Sequence, residues 1–423
     1  MEGIDIDVPS FYICPISLEI MRDPVIVSTG ITYDRDSIEK WMLSNTKNSF
    51  CPVTKLPISD IELTPNHTLR RLIQSWCTEN SSRGIERIPT PKAPISRAQI
   101  SEILRKGAAS PVAQSKGLRR LKSIASNNAN RRSIEAAGGA DFLAEIICST
   151  SPSSPLEDLS DMDGLLEVKS PREEALSILY NLQLSNAGLK ALVGRKDGEF
   201  IESLTRVMQR GSFESRAYAV MLLNSMFEVA DPIQMITLIS RDFFIQVVQI
   251  LHDQISPQSS KDALKLLIQI VLWGRNRIKA VEAGLVPVLV GLLLDCSASD
   301  GGRRLVEMSL MLLEMICQTA EGRAELLKHG AGLAVVSKKI LRVSQVASER
   351  AVRILLSVSK HSATPAVLQE MLQLGIVAKL CLVLQVECGS KTKEKAKEIL
   401  KLHARAWKNS PCIPMNLHSS YPS

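Results

Sequence analysis

Two short stretches of the chain carry cysteine at a spacing that chemistry can use. Cys14 and Ser17 form a C-x-x-S pair, and Cys51-Pro52-Val53-Thr54 sets a cysteine and a threonine at the same separation. Paired cysteines so spaced hold zinc, which takes four thiolate or imidazole ligands in a closed tetrahedral site. Here the second member of each pair is a hydroxyl. Cys14, Cys51 and Cys77 cannot close such a site alone, and His67, the only histidine in the first 80 residues, is far from ligand spacing. A nucleophilic thiol needs a paired base, and no spacing argument brings His67 to Cys14. What remains for Cys14 is a buried small hydrophobe that fixes the loop around it. Asp23, Ser28, Thr32, Asp34, Arg35, Thr54 and Asn66 then read as a network of hydrogen bonds and ion pairs standing where a metal would stand. Such groups must satisfy one another, because an unpaired buried one costs ~1–3 kcal/mol.

The elements that must hold these residues follow from the pattern. Residues 24–33 alternate apolar and polar positions around Ser28-Thr29-Gly30, which predicts a short hairpin. Asp34 is placed to cap a helix running to about Leu43, with Ile38, Trp41 and Met42 on one face. A loop with Asn45, Asn48 and Ser49 leads to Cys51, and Asn66 starts a second helix with an apolar stripe of Leu69, Leu72, Ile73 and Trp76. Residues 81–95, with Pro89, Pro91 and Pro94, read as a semi-extended linker.

Several fragments in this order resemble the U-box of ubiquitin ligases: Cys14-Pro15-Ile16, Met21 to Val25, Ser28 to Arg35, Ile38 with Trp41, Cys51 to Thr54, and Leu63 to Asn66. The resemblance covers roughly seventy residues and implies a RING-like, metal-free α+β module over residues 7–80. Its structural set is Cys14, Asp23, Thr32, Asp34, Arg35, Cys51, Thr54 and Asn66. It also implies the chemistry. A substrate lysine attacks the thioester on a ubiquitin-conjugating enzyme (E2), while the ligase supplies neither nucleophile, cofactor nor metal and contributes orientation and effective concentration. Ile16 in the first loop, Trp41 on the helix and Pro52 in the second loop are then the expected E2-binding residues. Spacing alone leaves Trp41 equally open to a core role, since Ile38 and Met42 share its stripe. Arg70 and Arg71 are expected to be solvated helix positions, with contact to ubiquitin as the alternative. Three competing readings remain testable: a non-catalytic adaptor that binds an E2 or chaperone, a zinc enzyme, and a ligase forming a thioester on Cys14.

The rest of the chain is longer than one domain needs: 423 residues in all. Aromatic content of 4% favours aliphatic helix packing, and nine scattered cysteines suit a reducing compartment. No secretory leader is expected from residues 1–10, and no apolar run reaches the ~18 residues of a membrane span. The net charge of +7 is dispersed with few aromatics, so nucleic acid is not expected as a partner.

From residue 96 the pattern is helical and it repeats. Asn130 to Gly138 matches Asn276 to Gly284, and related units end at Gly330 and Gly375. A period in the forties is that of an armadillo or HEAT solenoid. Long helices are expected at 173–184, 214–229, 261–273, 305–317, 348–359 and 391–403. The interval from Gly138 to Gly198 is too long, and its serine- and acid-rich excess, about 149–170, reads as a disordered insertion with Ser-Pro pairs at Ser151 and Ser154. No single repeat hides its own apolar face, so stacked repeats share one core and leave a long groove for another protein.

The solenoid at 96–408, followed by a tail at 409–423, resembles the armadillo region of plant U-box proteins. That resemblance implies substrate recruitment through the groove, self-ubiquitination, and a cytosolic role in plant stress or immune signalling. It is compatible with a homo-oligomer and with nuclear or peripheral-membrane presence. Residues 391–405 are expected to cap the last repeat. Asn181 and Asn224 sit on long helices without accompanying tryptophans, so binding of nuclear localisation peptides is not inferred.

Overall fold

The computed structural model describes residues 8–44, 50–58, 63–81, 95, 97–149, 170–295, 300–408, 410–411 and 413–422. Most of the expected linker, the insertion with Ser151 and Ser154, and the loop holding Asn45, Asn48 and Ser49 lie outside the described residues. The chain divides into two units, Met1–Pro94 and Ile95–Ser423.

The first unit is built on the expected hairpin. Strands β1 (Pro24–Ile26) and β2 (Thr32–Asp34) pair antiparallel with Val25 opposite Tyr33. Gly30 holds the connection at φ 81°, a conformation that favours glycine. A third strand absent from the sequence reading, β3 (Thr64–Pro65), pairs with β1 and gives the order β2-β1-β3. Alternation buries Val25, Val27 and Tyr33. Against them pack Ile38 of α1 (Arg35–Ser44) and Ile73 and Cys77 of α2 (His67–Glu79). Asn66 caps α2 by accepting the Leu69 N–H at 3.1 Å. Leu72 does not belong to the buried stripe: it is 49% exposed, and Cys77 takes the core position one turn beyond Ile73.

The second unit stacks long helices in sequence: Pro111–Ala125, Pro171–Asn181, Phe213–Val229, Pro257–Ile270, Asp300–Ile316, Gln345–His361 and Ser390–Leu402, each packed on the next. Several begin earlier than periodicity suggested, because a serine with its hydroxyl on the N3 amide starts the helix. Ser170, Ser256 and Ser344 cap in this way, the first two followed by proline at the first helical position. The 257–270 helix also ends earlier than expected, leaving Trp273 outside it and 36% exposed.

The repeated Asn-Arg pair has a mechanical reason. Asn130 donates to the Ile124 carbonyl and Arg131 to that of Ala125. Asn276 and Arg277 do the same to Ile270 and Val271, and Arg323 reaches the Cys317 carbonyl. In each case a side chain on the next short helix closes the C-terminal carbonyls of the preceding long one, where a cation is also favoured by the helix dipole. Gly138, Gly284 and Gly375 then reverse the chain at φ between 67° and 86°.

Candidate docking site

Two loops of the first unit follow the same path. In the first, Cys14 N–H donates to the Glu19 carbonyl at 2.8 Å and Leu18 N–H to the Cys14 carbonyl at 2.9 Å. In the second, Cys51 N–H donates to Leu56 and Lys55 N–H to Cys51 at the same distances. Leu18 and Lys55 both sit at φ 58°. Each loop is closed by an antiparallel bridge, Ile13 with Ile20 and Phe50 with Pro57. The cysteine therefore organises its loop twice, through its backbone and through its sulfur.

The sulfurs accept hydrogen bonds where a metal would otherwise draw the groups together. Asp34 N–H lies 3.3 Å from Cys14 Sγ. Burial opposes ionisation of Cys14, but the amides of Ser17, Asp34 and Ile16, with the Ser17 hydroxyl, outweigh it and lower the thiol from its ordinary value. Cys51 receives the Tyr33 hydroxyl at 3.0 Å and the Thr54 N–H at 3.5 Å. Burial opposes its ionisation too. Thr29, whose buried hydroxyl has no other partner among the described residues, acts on the same sulfur with Thr54 and Tyr33, and together they bring the thiol down to about 6. Tyr33 is pushed up by its burial and by the Cys51 sulfur. Burial alone raises Cys77, which sits in the core away from these groups.

A carboxylate network joins the sheet to both helices. Asp34 accepts the N–H groups of Arg22 and Asp23 at 2.8 and 2.9 Å. It sits at the end of β2, and its described side-chain partners are in the loop before β1, so it ties that loop down and does not cap α1 as the sequence suggested. Asp23 accepts Arg35 Nε at 2.7 Å and also pairs with Arg70. Arg70 is thus not a solvated position: its side chain is only 15% exposed, whereas Arg71 is exposed. The Ser28 and Thr32 hydroxyls make no hydrogen bond among the described residues. Thr54 is exposed; its hydroxyl and its N–H both act on the Cys51 sulfur, and the hydroxyl also accepts the Leu56 N–H at 3.4 Å.

Ile16, Trp41 and Pro52 are each half-buried, on the first loop, α1 and the second loop. Trp41 Nε1 donates to the Phe50 carbonyl at 3.0 Å, which fixes the indole against the start of the second loop. Trp41 and Ile16 also lean on the core, so Trp41 combines the two roles the spacing left open. Leu18, Val53 and Leu56 extend the loops with apolar side chains 77%, 52% and 58% exposed. Apolar side chains held outward by rigid loops favour a protein partner. Cys14 and Cys51 are fully buried, so neither is placed to attack a thioester. No group of three or more metal-ligating side chains occurs among the described residues.

Tyr33 is the residue the sequence reading passed over. Its signal was present: it shares the alternating face of Val25 and Val27, and a buried tyrosine needs a partner for its hydroxyl. In the second unit, Asn181 is exposed and bonds to its own helix, while Asn224 is buried and donates to Glu228 and Asp262. These two asparagines do not form a matched ladder. Residues 391–405 pack as an end helix, Ser390–Leu402, with Thr392, Ala396, Ile399 and Leu400 buried and Glu398 paired to Lys360 at 2.6 Å.

The U-box domain family matches residues 8–82, and the family described as plant U-box protein ARM repeat region matches 99–423. The chain is 57% identical over 435 residues to E3 ubiquitin-protein ligase PUB22 of Arabidopsis thaliana, covering 99% of each. It is also 57% identical over 420 residues to E3 ubiquitin-protein ligase PUB23 of the same plant, covering 99% of this chain and 98% of that protein. Among solved structures, an engineered protein aligns at a TM-score of 0.51 and 16% identity over 86% of this chain and 79% of its own, a likeness of fold alone.

Proposed function

Because the chain belongs to the plant U-box family with an armadillo-repeat region and is an E3 ubiquitin-protein ligase, we propose that Ile16, Trp41 and Pro52 form the surface on which it holds the ubiquitin-charged E2. What supports this is the pair of matching loops, each organised by a buried cysteine, one carrying Ile16 and the other Pro52, with the Trp41 indole anchored at the start of the second. The armadillo unit recruits the substrate, and the ligase acts by proximity and orientation, with no covalent intermediate of its own. Self-ubiquitination, a cytosolic location and control of stress or immune components belong to the same proposal.

The test is discharge of ubiquitin from a charged E2 to free lysine. Trp41→Ala loses most of the stimulated discharge, at least tenfold, while hydrogen exchange in β1 and α2 stays protected. Full stimulation by a folded Trp41→Ala chain removes the indole from the site.

A further inference from the structure

The geometry points to Tyr33 as the positioning residue for the second docking loop: its hydroxyl ties Cys51 and the Val53 amide together and so sets the face that Pro52 and Val53 offer to the E2. This rests on the reading of Pro52 as a docking residue and goes beyond it, because Tyr33 is fully buried and cannot touch a partner.

Tyr33 Oη accepts the Val53 N–H at 3.3 Å and lies 3.0 Å from Cys51 Sγ. With the oxygen taking the Val53 amide, its proton is directed at the sulfur. One hydroxyl thus spans from the floor of the loop to the residue following Pro52. The first loop is fastened otherwise: Cys14 Sγ is approached by the Asp34 backbone N–H, which substitution of Asp34 does not remove, and by the hydroxyl of Ser17, which lies within the loop itself. The loops share a path but not a fastening. The second is tied from outside the loop, by a hydroxyl on β2 that a single atom change deletes, and a sulfur inclined to the thiolate form strengthens that bond. Tyr33→Phe keeps the buried ring that packs beneath the sheet and takes away only the tie.

The experiment uses the full chain. Single-turnover discharge of a ubiquitin-charged E2 to free lysine is followed against ligase concentration, giving a half-saturating concentration and a plateau rate. Tyr33→Phe is expected to raise the half-saturating concentration about fivefold, leave the plateau within twofold, and speed Val53 amide exchange at least tenfold without changing exchange in α2. Cys51→Ala, which removes the other partner of the hydroxyl, should produce a shift that is not additive with Tyr33→Phe. A general loss of stability would move α2 exchange and the plateau together, which counts against a positioning role.

Pro52→Ala is measured in parallel. If it leaves half-saturation unchanged, the docking surface itself is misassigned and the role of Tyr33 in docking goes with it. If Pro52→Ala shifts half-saturation and Tyr33→Phe does not, only the role of Tyr33 is overturned. A Val53 amide that exchanges at the unstructured rate in the unaltered chain overturns it without any variant.

Discussion

Asp23 is where the hydrogen-bonded scaffold of the first unit can be tested most directly. Its carboxylate receives Arg35 at the start of α1 and Arg70 in α2, with the Asp23, Arg35 and Arg70 side chains 24%, 28% and 15% exposed. A hydrogen bond to a charged group contributes ~1.5–3 kcal/mol when sheltered, and a fully exposed pair ~0–1 kcal/mol. Partial exposure puts each of these between the two, at about 1.5 kcal/mol. Asp23→Ala removes both and leaves two guanidinium groups facing an empty position, so the unit should lose about 3 kcal/mol. At ~1.4 kcal/mol per tenfold, that is a fall of roughly 100-fold in the protection of the slowest amides in β1 and α2. Hydrogen exchange of the full chain, read peptide by peptide, gives this number for the first unit separately from the solenoid. Arg71→Ala, at an exposed position, should stay within ~0.5 kcal/mol. A fall of less than threefold for Asp23→Ala refutes the argument, since the three helix and sheet elements would then be held by packing alone.

Other consequences are as direct. Cys51 is lowered in the fold from 9.0 to about 6, so the folded state releases a proton that the unfolded state keeps between those values. Stability of the first unit should therefore be complete above about pH 9 and decline as pH falls towards 6. Cys51→Ala should flatten the difference in a urea titration run across that range, and an unchanged pH slope counts against the sulfur-centred network. Overnight dialysis against a zinc chelator should leave both the unfolding midpoint of the first unit and E2 discharge unaltered; a loss restored by zinc overturns the metal-free account. In the solenoid, Asn276→Ala removes the donor to the Ile270 carbonyl and should cost ~1–2 kcal/mol, seen as faster exchange at the end of the 257–270 helix, whereas no change there would deny Asn276 the closing role.

Much of this protein is written in local pattern. The hairpin is legible because two short runs rich in β-branched and aromatic residues, Val25 to Val27 and Ile31 to Tyr33, flank the Ser28-Thr29-Gly30 turn. Asn66 is legible as a cap because a short polar side chain before an apolar stripe has few other uses. The solenoid is legible because stacking requires the same apolar spacing in each repeat, and a reversing glycine recurs at Gly138, Gly198, Gly284 and Gly375. Even the early helix starts are marked in the sequence, by the serine-proline steps at Ser170 and Ser256.

What the order of residues could not decide was which polar group meets which. Asp34 is equally suited by type to cap α1 or to fasten the loop before β1, and only the closing of β1 on β2 brings the Arg22 and Asp23 amides to its carboxylate. Arg70 and Arg71 are indistinguishable as neighbours on a helix. The rotation of α2 against the sheet turns one to Asp23 and leaves the other in water. Tyr33 and Cys51 are eighteen positions apart, and their contact exists only once β2 and the second loop are packed together. The physical reason is range. Apolar burial is non-directional and leaves its mark as a period along the chain, whereas a hydrogen bond depends on a few tenths of an ångström between groups that only the finished fold makes neighbours.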